Sequence, residues 1–404
     1  MILEHLTGFL LRELILEGGL AGHMSYPIDY PELTGEDLKD LVTSIFSGKI
    51  ERMKEKLDGT NLNAYKNTAG ETVFIRNGSD LNSEKGGMSV EEIAVKYVSK
   101  PSVADNFIRA AKTIETVFDR IPSEWFNPEP GRKIVVNCEC ITAGQTNVMI
   151  YPSDRVAFHG TSTYSLENGR WNLVDASEGV PDEIRKAAEG VKGTEPRPDL
   201  IVKSVELGTK LAAGFCRDID KIFSSEGLNT SSTIDDWKAK RFADRCPEWL
   251  ESGDVYRRWF YSDKSVGLNA LKKKYTANLA ELKQLDQKEY KSIVSDTMKP
   301  LDDLILKIGN ALIENLEGFA NSANYSEVSQ RLKSELEAFV SELKKDATAD
   351  ESEKIDRQLS RLSVIENTIN AAEGVVFTYK GRLMKLTGSF SALNQIMGMR
   401  KFNR

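Results

Sequence analysis

A short segment around Lys56 has the residue types needed for covalent chemistry on a phosphate. It reads Lys-Leu-Asp-Gly, so that an acidic residue, Asp58, follows the lysine by two positions and is itself followed by Gly59. A lysine amine attacks phosphorus only after losing its proton, so its pKa must be lowered from the ordinary high value. If a strand continues through the segment, Asp58 shares a face with Lys56, and Gly59 lets the backbone turn. The alternative is a strand, turn and strand with a solvated Lys56–Asp58 pair.

Three further segments follow in an order that strengthens this interpretation. They are Arg76-Asn77-Gly78, Cys138-Glu139-Cys140, and Glu373-Gly374-Val375-Val376 followed by Lys385. Cations beside a lysine disfavour its charged form, and Arg76 and Lys385 are candidates for this role. Glu139 and Glu373 adjoin apolar strand residues, where an isolated carboxylate is costly. The alternatives are that Asn77-Gly78 is a hairpin turn and that Glu139 faces solvent.

Together, the four segments resemble the covalent nucleotidyltransferase superfamily of ATP-dependent DNA ligases, RNA ligases and mRNA capping enzymes. The ending Gly59-Thr60-Asn61 of the first segment looks most like RNA ligases of the RNA ligase 2 and RNA-editing-ligase type. The resemblance extends over residues 51–165 and 371–390. It implies that Lys56 attacks ATP to form a lysyl-AMP, that the AMP moves to a 5′-phosphate end, and that a 3′-hydroxyl then displaces it.

The resemblance also implies a catalytic role for several of these residues. Lys56, Asp58 and Lys385 are the expected catalytic residues, and Lys385 is expected to contact the α-phosphate. Glu139 and Glu373 are expected to hold magnesium directly or through its water molecules, because carboxylate oxygens are the hard ligands that this ion prefers.

The same resemblance implies a set of contacts to ATP. Phe158 falls where the family places the aromatic ring that stacks on adenine, although an ordinary core phenylalanine has the same pattern. His159 is interpreted as a polar neighbour rather than a metal ligand. The expected nucleotide contacts are Glu55, Gly59, Asn61, Arg76, Glu139, Phe158 and Glu373.

In the family, the segment of Lys56 is the first motif, that of Glu373 the fourth and that of Lys385 the fifth. The fifth motif departs from the family pattern. The family has two lysines separated by one residue, whereas this chain has Lys385-Leu386-Thr387. In one register Thr387 replaces the second lysine, and in the other Leu383 replaces the first. In either register one cation is missing or is supplied by Lys380 or Arg382. The segment after Thr387 is too short for the OB domain that follows this motif in DNA ligases and capping enzymes, which favours the RNA ligases.

The pattern of apolar residues predicts an α+β fold. The expected architecture is an antiparallel-β nucleotidyltransferase domain, the adenylylation domain of ligases, interrupted by a long all-α insertion. The C-terminal strands are expected to rejoin the first part of that domain. The expected domains are an N-terminal helical extension (1–50), the first part of the nucleotidyltransferase domain (51–175), the helical insertion (176–370) and the C-terminal strands (371–404).

The first strands of this domain are expected to form an antiparallel meander. Their predicted ranges are Met53–Leu57, Asn61–Lys66 and Thr72–Arg76. Lys133–Thr142 is predicted to be a buried strand, and Gly374–Tyr379 a strand after the helical insertion.

One part of the helical region combines cations with aromatic residues. Cations bind phosphates and rings stack on bases, so this mixture suits a polynucleotide such as RNA. The alternative is a helical pair that packs its tryptophans inward and leaves its cations in water. The candidate RNA-binding residues are Trp237, Lys238, Lys240, Arg241, Arg245, Arg257 and Arg258.

The composition narrows the class of protein. A chain of 404 residues favours two or three domains, and its net charge of −7 argues against a surface that coats nucleic acid as a whole. No apolar run approaches the roughly 20 residues of a transmembrane helix. The four cysteines lack the spacing of a disulfide framework or a zinc site. We therefore expect a cytoplasmic protein without membrane association.

The sequence thus predicts an ATP-dependent RNA or polynucleotide ligase that uses ATP and Mg²⁺. A second hypothesis is a nucleotidyltransferase that adenylylates a protein or a small molecule. A third is a non-catalytic assembly protein with a relic site. Retention of Lys56 and of the carboxylates argues against the third hypothesis.

Overall fold

The computed structural model describes residues 24–50, 52–99, 101–143, 148–177, 179–195, 199–245 and 287–402. Helices and mostly antiparallel sheets are both present, which is an α+β composition. The strands are β1 (Met53–Lys56), β2 (Thr60–Asn61), β3 (Asn63–Lys66), β4 (Thr72–Ile75), β5 (Arg132–Ile141), β6 (Arg155–Glu167), β7 (Arg170–Ser177), β8 (Thr194–Glu195), β9 (Ile201–Val202), β10 (Leu316–Glu317), β11 (Gly374–Tyr379) and β12 (Arg382–Thr387).

The α-helices lie mainly before β5 and between β8 and β11. Two 3₁₀ turns, Pro27–Asp29 and Ser322–Asn324, supplement them. The helices are α1 (Gly35–Phe46), α2 (Gly78–Leu81), α3 (Val90–Lys96), α4 (Pro101–Phe118), α5 (Ser123–Phe126), α6 (Asp182–Ala188), α7 (Val205–Ser224), α8 (Ile234–Arg245), α9 (Gln287–Glu314), α10 (Tyr325–Asp346), α11 (Ala349–Ser363) and α12 (Phe390–Phe402). In the described ranges no helix is both long and apolar enough to cross a membrane.

The chain divides into two compact units. One contains Leu57–Asp199, and the other contains Ser25–Lys56 together with the described residues from 200 onwards. The division therefore falls directly after Lys56, and it differs from the boundaries expected near residues 50, 175 and 370. Those boundaries follow changes in composition along the chain, whereas the units follow the packing of side chains.

The Leu57–Asp199 unit is built on a seven-stranded sheet. Its strand order is β4-β3-β5-β6-β7, with β2 paired to β5 and the short β8 parallel to β6. Buried residues of the sheet and of α4 form one hydrophobic core. The predicted buried strand Lys133–Thr142 corresponds to β5, because its apolar residues are enclosed along most of its length.

The other unit contains a three-stranded sheet in the order β1-β11-β12. A second hydrophobic core joins this sheet to α1, α7 and α9. Helix α1 begins where the Thr34 hydroxyl accepts a hydrogen bond from the backbone N–H of Asp37, whose carboxylate in turn accepts one from the backbone N–H of Thr34.

The position of β1 corrects the predicted meander. β3 and β4 form an antiparallel pair as expected, but β1 pairs with β11 over its whole length, from Met53↔Phe377 to Lys56↔Gly374. β1 pairs with β11 because their side chains pack together: Met53 and Phe377 belong to the same hydrophobic core. The strand that ends at Lys56 therefore joins the C-terminal strands rather than the strands that follow it in sequence.

The region between β8 and β11 is mostly helical in its described part. It also contains the short strand pair β9–β10, so it is not wholly helical. The sequence Asp346-Ala347-Thr348-Ala349-Asp350 predicts a break between two helices, and the break is present at Ala347-Thr348, where the Thr348 hydroxyl caps α11. Regular apolar spacing also predicts a helix at 266–285, which lies outside the described residues.

Candidate functional site

The three-stranded sheet carries the lysine of the first motif on the face opposite its core. Lys56, Gly374 and Thr387 are directly opposite one another on β1, β11 and β12, so their side-chain positions lie on one face. The next row along the same face consists of Lys54, Val376 and Lys385. The intervening positions point into the core, and these include Met53, Val375, Phe377, Met384 and Leu386.

We call the surface that bears Lys54, Lys56, Lys385 and Thr387 the lysine face. Gly374 lies between Lys56 and Thr387 in the register and has no side chain. A Cβ at Gly374 would lie 2.2 Å from the Leu386 carbonyl oxygen, so the close approach of β11 and β12 requires glycine there. The row therefore has a charged group at one end and a neutral hydroxyl at the other.

Lys56 contacts the carboxylate that precedes β11. Its Nζ lies 2.5 Å from Oε1 of Glu373, and the two side chains are 21% and 7% exposed. A carboxylate beside an amine favours the charged ammonium. Lys56 is thus held in position by Glu373, and a lysine becomes a nucleophile only when it loses its proton.

Tyr26 packs over the C-terminal end of the lysine face. The Nζ of Lys385 lies 4.8 Å from the centre of the Tyr26 ring, and the Tyr26 hydroxyl is 2.8 Å from Oγ1 of Thr387. The backbone N–H of Lys385 also donates to the Ser25 carbonyl. Sequence reasoning missed Tyr26, because a tyrosine before a proline in a glycine-rich loop carries no signal for this contact.

The two cations expected to replace the missing lysine have other partners. Lys380 forms an ion pair with Asp37, and Arg382 forms one with Glu32. Both cations lie at the turn between β11 and β12, which is the opposite end of the hairpin from Thr387. Their placement corrects the expectation that either one compensates for Thr387.

The carboxylate of Glu55 lies on the core side of β1. The residue is only 6% exposed, and its Oε2 accepts a hydrogen bond from the backbone N–H of Ala320 at 2.6 Å. The side chain of Glu55 is therefore on the opposite face of the strand from Lys56.

A second group of predicted residues lies in the Leu57–Asp199 unit, around Glu139. Oε1 of Glu139 accepts a hydrogen bond from the backbone N–H of Gly59 at 3.1 Å, and Oε2 lies 3.0 Å from Nε2 of His159. Asn61 is directly opposite Glu139 in the β2–β5 pair. A Cβ at Gly59 would lie 2.4 Å from Cγ of Glu139, so only glycine permits this approach.

Phe158 and His159 lie on opposite faces of β6. Phe158 is 3% exposed and is part of the hydrophobic core, directly opposite Cys138. His159 is on the same side of the sheet as Glu139. This placement of Phe158 corresponds to the core alternative that the sequence left open. The ring beside Glu139 is the imidazole of His159, which the sequence analysis interpreted only as a polar neighbour.

Asp58 is held by the segment that precedes β6. Its Oδ2 accepts a hydrogen bond from the backbone N–H of Met149 at 2.7 Å, and its own N–H donates to the Tyr151 hydroxyl at 2.8 Å. These two hydrogen bonds fix the backbone at Asp58, between β1 and β2.

Arg76 packs its guanidinium 4.7 Å from the centre of the Phe107 ring. The residues after it do not form a hairpin turn. Asn77 is instead the N-cap of α2, since its side chain accepts a hydrogen bond from the backbone N–H of Asp80.

The expected magnesium ligands have suitable donor chemistry. Glu139 and Glu373 offer carboxylate oxygens, which bind magnesium ions that keep several of their water molecules. The two residues belong to different units. Within the described ranges, no group of three or more His, Cys, Asp or Glu side chains is arranged to hold a metal ion.

The predicted RNA-binding segment is partly enclosed. Trp237 is fully buried and donates its indole N–H to the Ile222 carbonyl, and Lys238 is 4% exposed and donates to the Ile28 carbonyl. Arg241 forms an ion pair with Glu226. Trp237 is therefore packed inward, as in the packing alternative, whereas the cations of Lys238 and Arg241 have protein partners and are not left in water. Lys240 is exposed, and Arg257 and Arg258, like the side chain of Arg245, lie outside the described part.

Comparisons with known proteins add little to this picture. No family model matches the chain, and no curated protein matches it. Among solved structures, an archaeal ATP-dependent RNA ligase (form 1) is similar at 13% sequence identity, over 94% of this chain and 81% of that chain, with a TM-score of 0.21. A TM-score this low carries no argument about fold or activity.

Proposed function

We propose that the protein is a nucleotidyltransferase that forms a covalent lysyl-AMP at Lys56 and uses it to join polynucleotide ends, with RNA ends as the substrates. The observation that carries this proposal is the contact between Lys56 and Glu373. The two residues are far apart in sequence, yet they meet at 2.5 Å where β1 pairs with β11. The residues of the first and fourth motifs are thus available to one reaction.

The first step is attack of the Lys56 amine on the α-phosphorus of ATP. The nitrogen forms a bond to phosphorus, the bond from phosphorus to the bridging oxygen breaks, and pyrophosphate leaves with the electron pair. The Lys56 ammonium must first give a proton to water, and the attacking nitrogen gives up a second proton to water as the phosphoramidate forms, so the interaction with Glu373 has to weaken when the nucleotide binds. Lys385 shares the lysine face and would neutralise negative charge at the phosphates.

Magnesium would supply further charge neutralisation at the phosphates, held by Glu373 directly or through water. The carboxylate of Glu139 is oriented by Gly59 and His159, since each of its oxygens has one of these partners. A carboxylate held in this way is suited to bind a ribose hydroxyl or a metal-bound water molecule.

In the later steps, an oxygen of a 5′-phosphate end attacks the phosphorus of the lysyl-AMP and releases the Lys56 amine. A 3′-hydroxyl then attacks the activated 5′-phosphate, and AMP leaves. Lys56 is regenerated after each cycle.

A second candidate function keeps the lysyl-AMP and transfers the AMP to a protein or a small molecule. It is favoured by the burial of Trp237 and Lys238, because these two residues offer no surface to RNA. The acceptor therefore has to be determined separately from the first step.

The test is incubation with ATP or GTP labelled at the α-phosphate, with magnesium, followed by a denaturing gel. We expect a label that acid removes and alkali does not, as for a phosphoramidate. Lys56→Ala should abolish it. Lys54→Ala is the matched control, because Lys54 lies on the same face one row away. Equal labelling of Lys56→Ala and the parent protein would exclude Lys56 as the nucleophile.

A chase with 5′-phosphorylated RNA and DNA then identifies the acceptor. The ligase proposal requires that label moves to a polynucleotide end and that joined product appears. Label that forms on the protein but never reaches any RNA or DNA end would support the second candidate instead.

A further inference from the structure

The segment before α1 lies along β12, the strand that carries Lys385. The backbone N–H of Lys385 donates to the Ser25 carbonyl at 3.0 Å, and Ser25 forms a parallel bridge with Met384. Three residues after Ser25, the side chain of Ile28 is buried in the core beneath the sheet. These contacts fix residues 25–28 against β12.

Tyr26 is held at both ends within this segment. Its backbone is extended, with φ −74° and ψ 157°, which is the conformation that a following proline, here Pro27, favours. Its N–H donates to Oδ2 of Asp29 at 2.9 Å, and its hydroxyl is 2.8 Å from Oγ1 of Thr387. The ring between these two anchors is therefore fixed in place.

The ring of Tyr26 lies against the ammonium of Lys385. Nζ of Lys385 is 4.8 Å from the centre of the ring, a distance at which the face of an aromatic ring attracts a cation. Because the ring has no net charge, it attracts the ammonium without neutralising it. Lys56 has the opposite kind of partner, since Glu373 is a carboxylate. The ring can thus hold a lysine in place while its positive charge remains available to an anion.

We propose that Tyr26 is a positioning residue, whose ring holds the ammonium of Lys385 where the phosphates of the nucleotide bind on the lysine face. This inference rests on the proposed function, and it adds to that function a residue from outside the four motif segments. Lys385 is a lysine of the fifth motif in either register, so its contact with Tyr26 bears on the site in both.

A lysine that is already held in place binds a phosphate better than a mobile one. Its long side chain loses rotamer freedom when the ammonium binds an anion. The Tyr26 ring imposes part of that order before the nucleotide arrives, so less affinity is lost on binding. A cation fixed at the α-phosphate also stabilises the charge that develops there as Lys56 attacks. Removal of the ring should therefore reduce both the nucleotide affinity and the rate of lysyl-AMP formation.

The experiment compares five variants with the parent protein: Tyr26→Leu, Tyr26→Phe, Lys385→Ala, Tyr26→Leu with Lys385→Ala, and Tyr30→Leu. Tyr30→Leu is the matched control, because Tyr30 contacts the same strand with the same groups. Its ring centre lies 5.1 Å from Cζ of Arg382, and its hydroxyl donates to the Leu383 carbonyl. Those contacts are at the turn end of the β11–β12 hairpin.

Two measurements are made on each variant that circular dichroism shows to be folded. Affinity is measured by titration with an ATP analogue that has a methylene group between its α- and β-phosphates and therefore cannot transfer AMP. The rate of lysyl-AMP formation is measured with magnesium and with ATP labelled at the α-phosphate. Pentafluorophenylalanine at position 26 supplies a further variant, because it keeps the shape of a ring and removes its attraction for cations.

We expect Tyr26→Leu to weaken analogue binding and to slow lysyl-AMP formation, each about fivefold, which is the effect of losing one cation–ring interaction. The pentafluorophenylalanine variant should show the same loss. Tyr26→Phe keeps the ring and should recover most of it, and Tyr30→Leu should behave as the parent. In the Lys385→Ala background Tyr26→Leu should have no further effect, because the ring then has no ammonium to hold.

Two outcomes would overturn the inference. One is parental affinity and rate in Tyr26→Leu or, if that variant does not fold, in the pentafluorophenylalanine variant. The other is an equal loss from Tyr26→Leu with and without the Lys385 amine, because that pattern assigns Tyr26 to the packing of β12.

The titrations also separate this inference from the proposed function. If the parent binds the analogue but forms no lysyl-AMP, the proposed reaction is wrong, and the analogue affinities of the variants still decide the role of Tyr26. If the parent forms lysyl-AMP and Tyr26→Leu matches it in rate and affinity, only the inference about Tyr26 fails. If the parent binds no analogue and forms no lysyl-AMP, both are wrong.

Discussion

Two lysines, one in each unit, are enclosed by very different surroundings. Lys56 lies against the carboxylate of Glu373. Lys133, on β5, has its Nζ 3.9 Å from the centre of the Tyr65 ring and 4.2 Å from that of Trp171, and burial lowers its pKa to about 8. Burial thus favours the neutral amine of Lys133, which lies against two aromatic rings.

The proposed nucleophile is thus not the lysine whose pKa burial lowers. Lys56 shares its face with Lys385 and adjoins a carboxylate, so in the proposed reaction a bound nucleotide and metal would change its charge. The surroundings of Lys133 are two aromatic rings. The neighbours of a lysine, and whether a ligand can displace them, decide its chemistry.

The largest expected effect comes from removing the charge beside Lys56. Glu373→Gln should lose most of the adenylylation activity, at least about tenfold, because the amide neither pairs with the ammonium nor binds a metal as an anion. The measurement is the rate of lysyl-AMP formation with magnesium. Glu317→Gln is the control, since Glu317 is exposed on β10. Full activity in a folded Glu373→Gln protein would remove the argument for the fourth motif.

An intermediate effect is expected in the other unit, at Gly59. A methyl group there would lie 2.4 Å from Cγ of Glu139 and 2.9 Å from the Cys140 carbonyl, so Gly59→Ala must displace the carboxylate or the turn. We expect a several-fold loss of labelling and a destabilisation of about 1–3 kcal/mol, as for other overpacked sites.

The control for Gly59→Ala is Gly214→Ala, within α7. A Cβ at Gly214 meets only the end of the Arg217 side chain, at 4.0 Å. Urea unfolding and the labelling assay measure both variants. Equal stability and activity of Gly59→Ala and the parent would show that Glu139 does not depend on this close approach.

The smallest effect on activity is expected at Lys133. Its pKa in the folded protein, about 8, is below that of an unfolded lysine, so the unfolded chain binds more protons between pH 8 and 10. The cost of burying the charge is fully present below pH 8, and stability should rise as the pH increases through this window. Because the rings of Tyr65 and Trp171 favour the charged form, we expect a gain of only about 1–2 kcal/mol.

Urea unfolding at pH 7.5 and 9.5 measures this rise in the parent and in Lys133→Met. Lys133→Met should not show the rise in stability that the titration of Lys133 causes in the parent. It should form lysyl-AMP at the parental rate. If the stability of both proteins rises equally from pH 7.5 to pH 9.5, the pH dependence of stability does not come from Lys133. If labelling fails in the folded variant, the contrast between the two lysines is wrong.

Local elements of the fold could be predicted closely from the sequence. The predicted strand Gly374–Tyr379 has the same bounds in the structure. The apolar spacing of residues 325–345 also predicts a helix, and α10 extends it by one residue to Asp346. A short apolar run between turn residues defines the first, and regular apolar spacing the second. The resemblance implies that Lys56 and Glu373 reach one nucleotide, and the structure brings these two residues into contact.

Contacts between distant segments could not be predicted. No periodic pattern in residues 53–56 specifies β11 as their partner, because many strands offer the same alternation. Tyr26 lies outside every motif and comes to the end of β12 only through tertiary packing. Trp237 has the spacing of either a core residue or a nucleic-acid contact, and only the fold distinguishes them.

The pairing of β1 with β11 has a consequence for how the protein is made. Among the described strands β1 pairs with β11 alone, and the ribosome synthesises β1 long before it. During translation β1 has no strand partner, and closing so long a loop is slow in folding. Lys56 therefore meets Glu373 only after residues 374–387 have emerged. A nascent chain that ends before these residues lacks this contact.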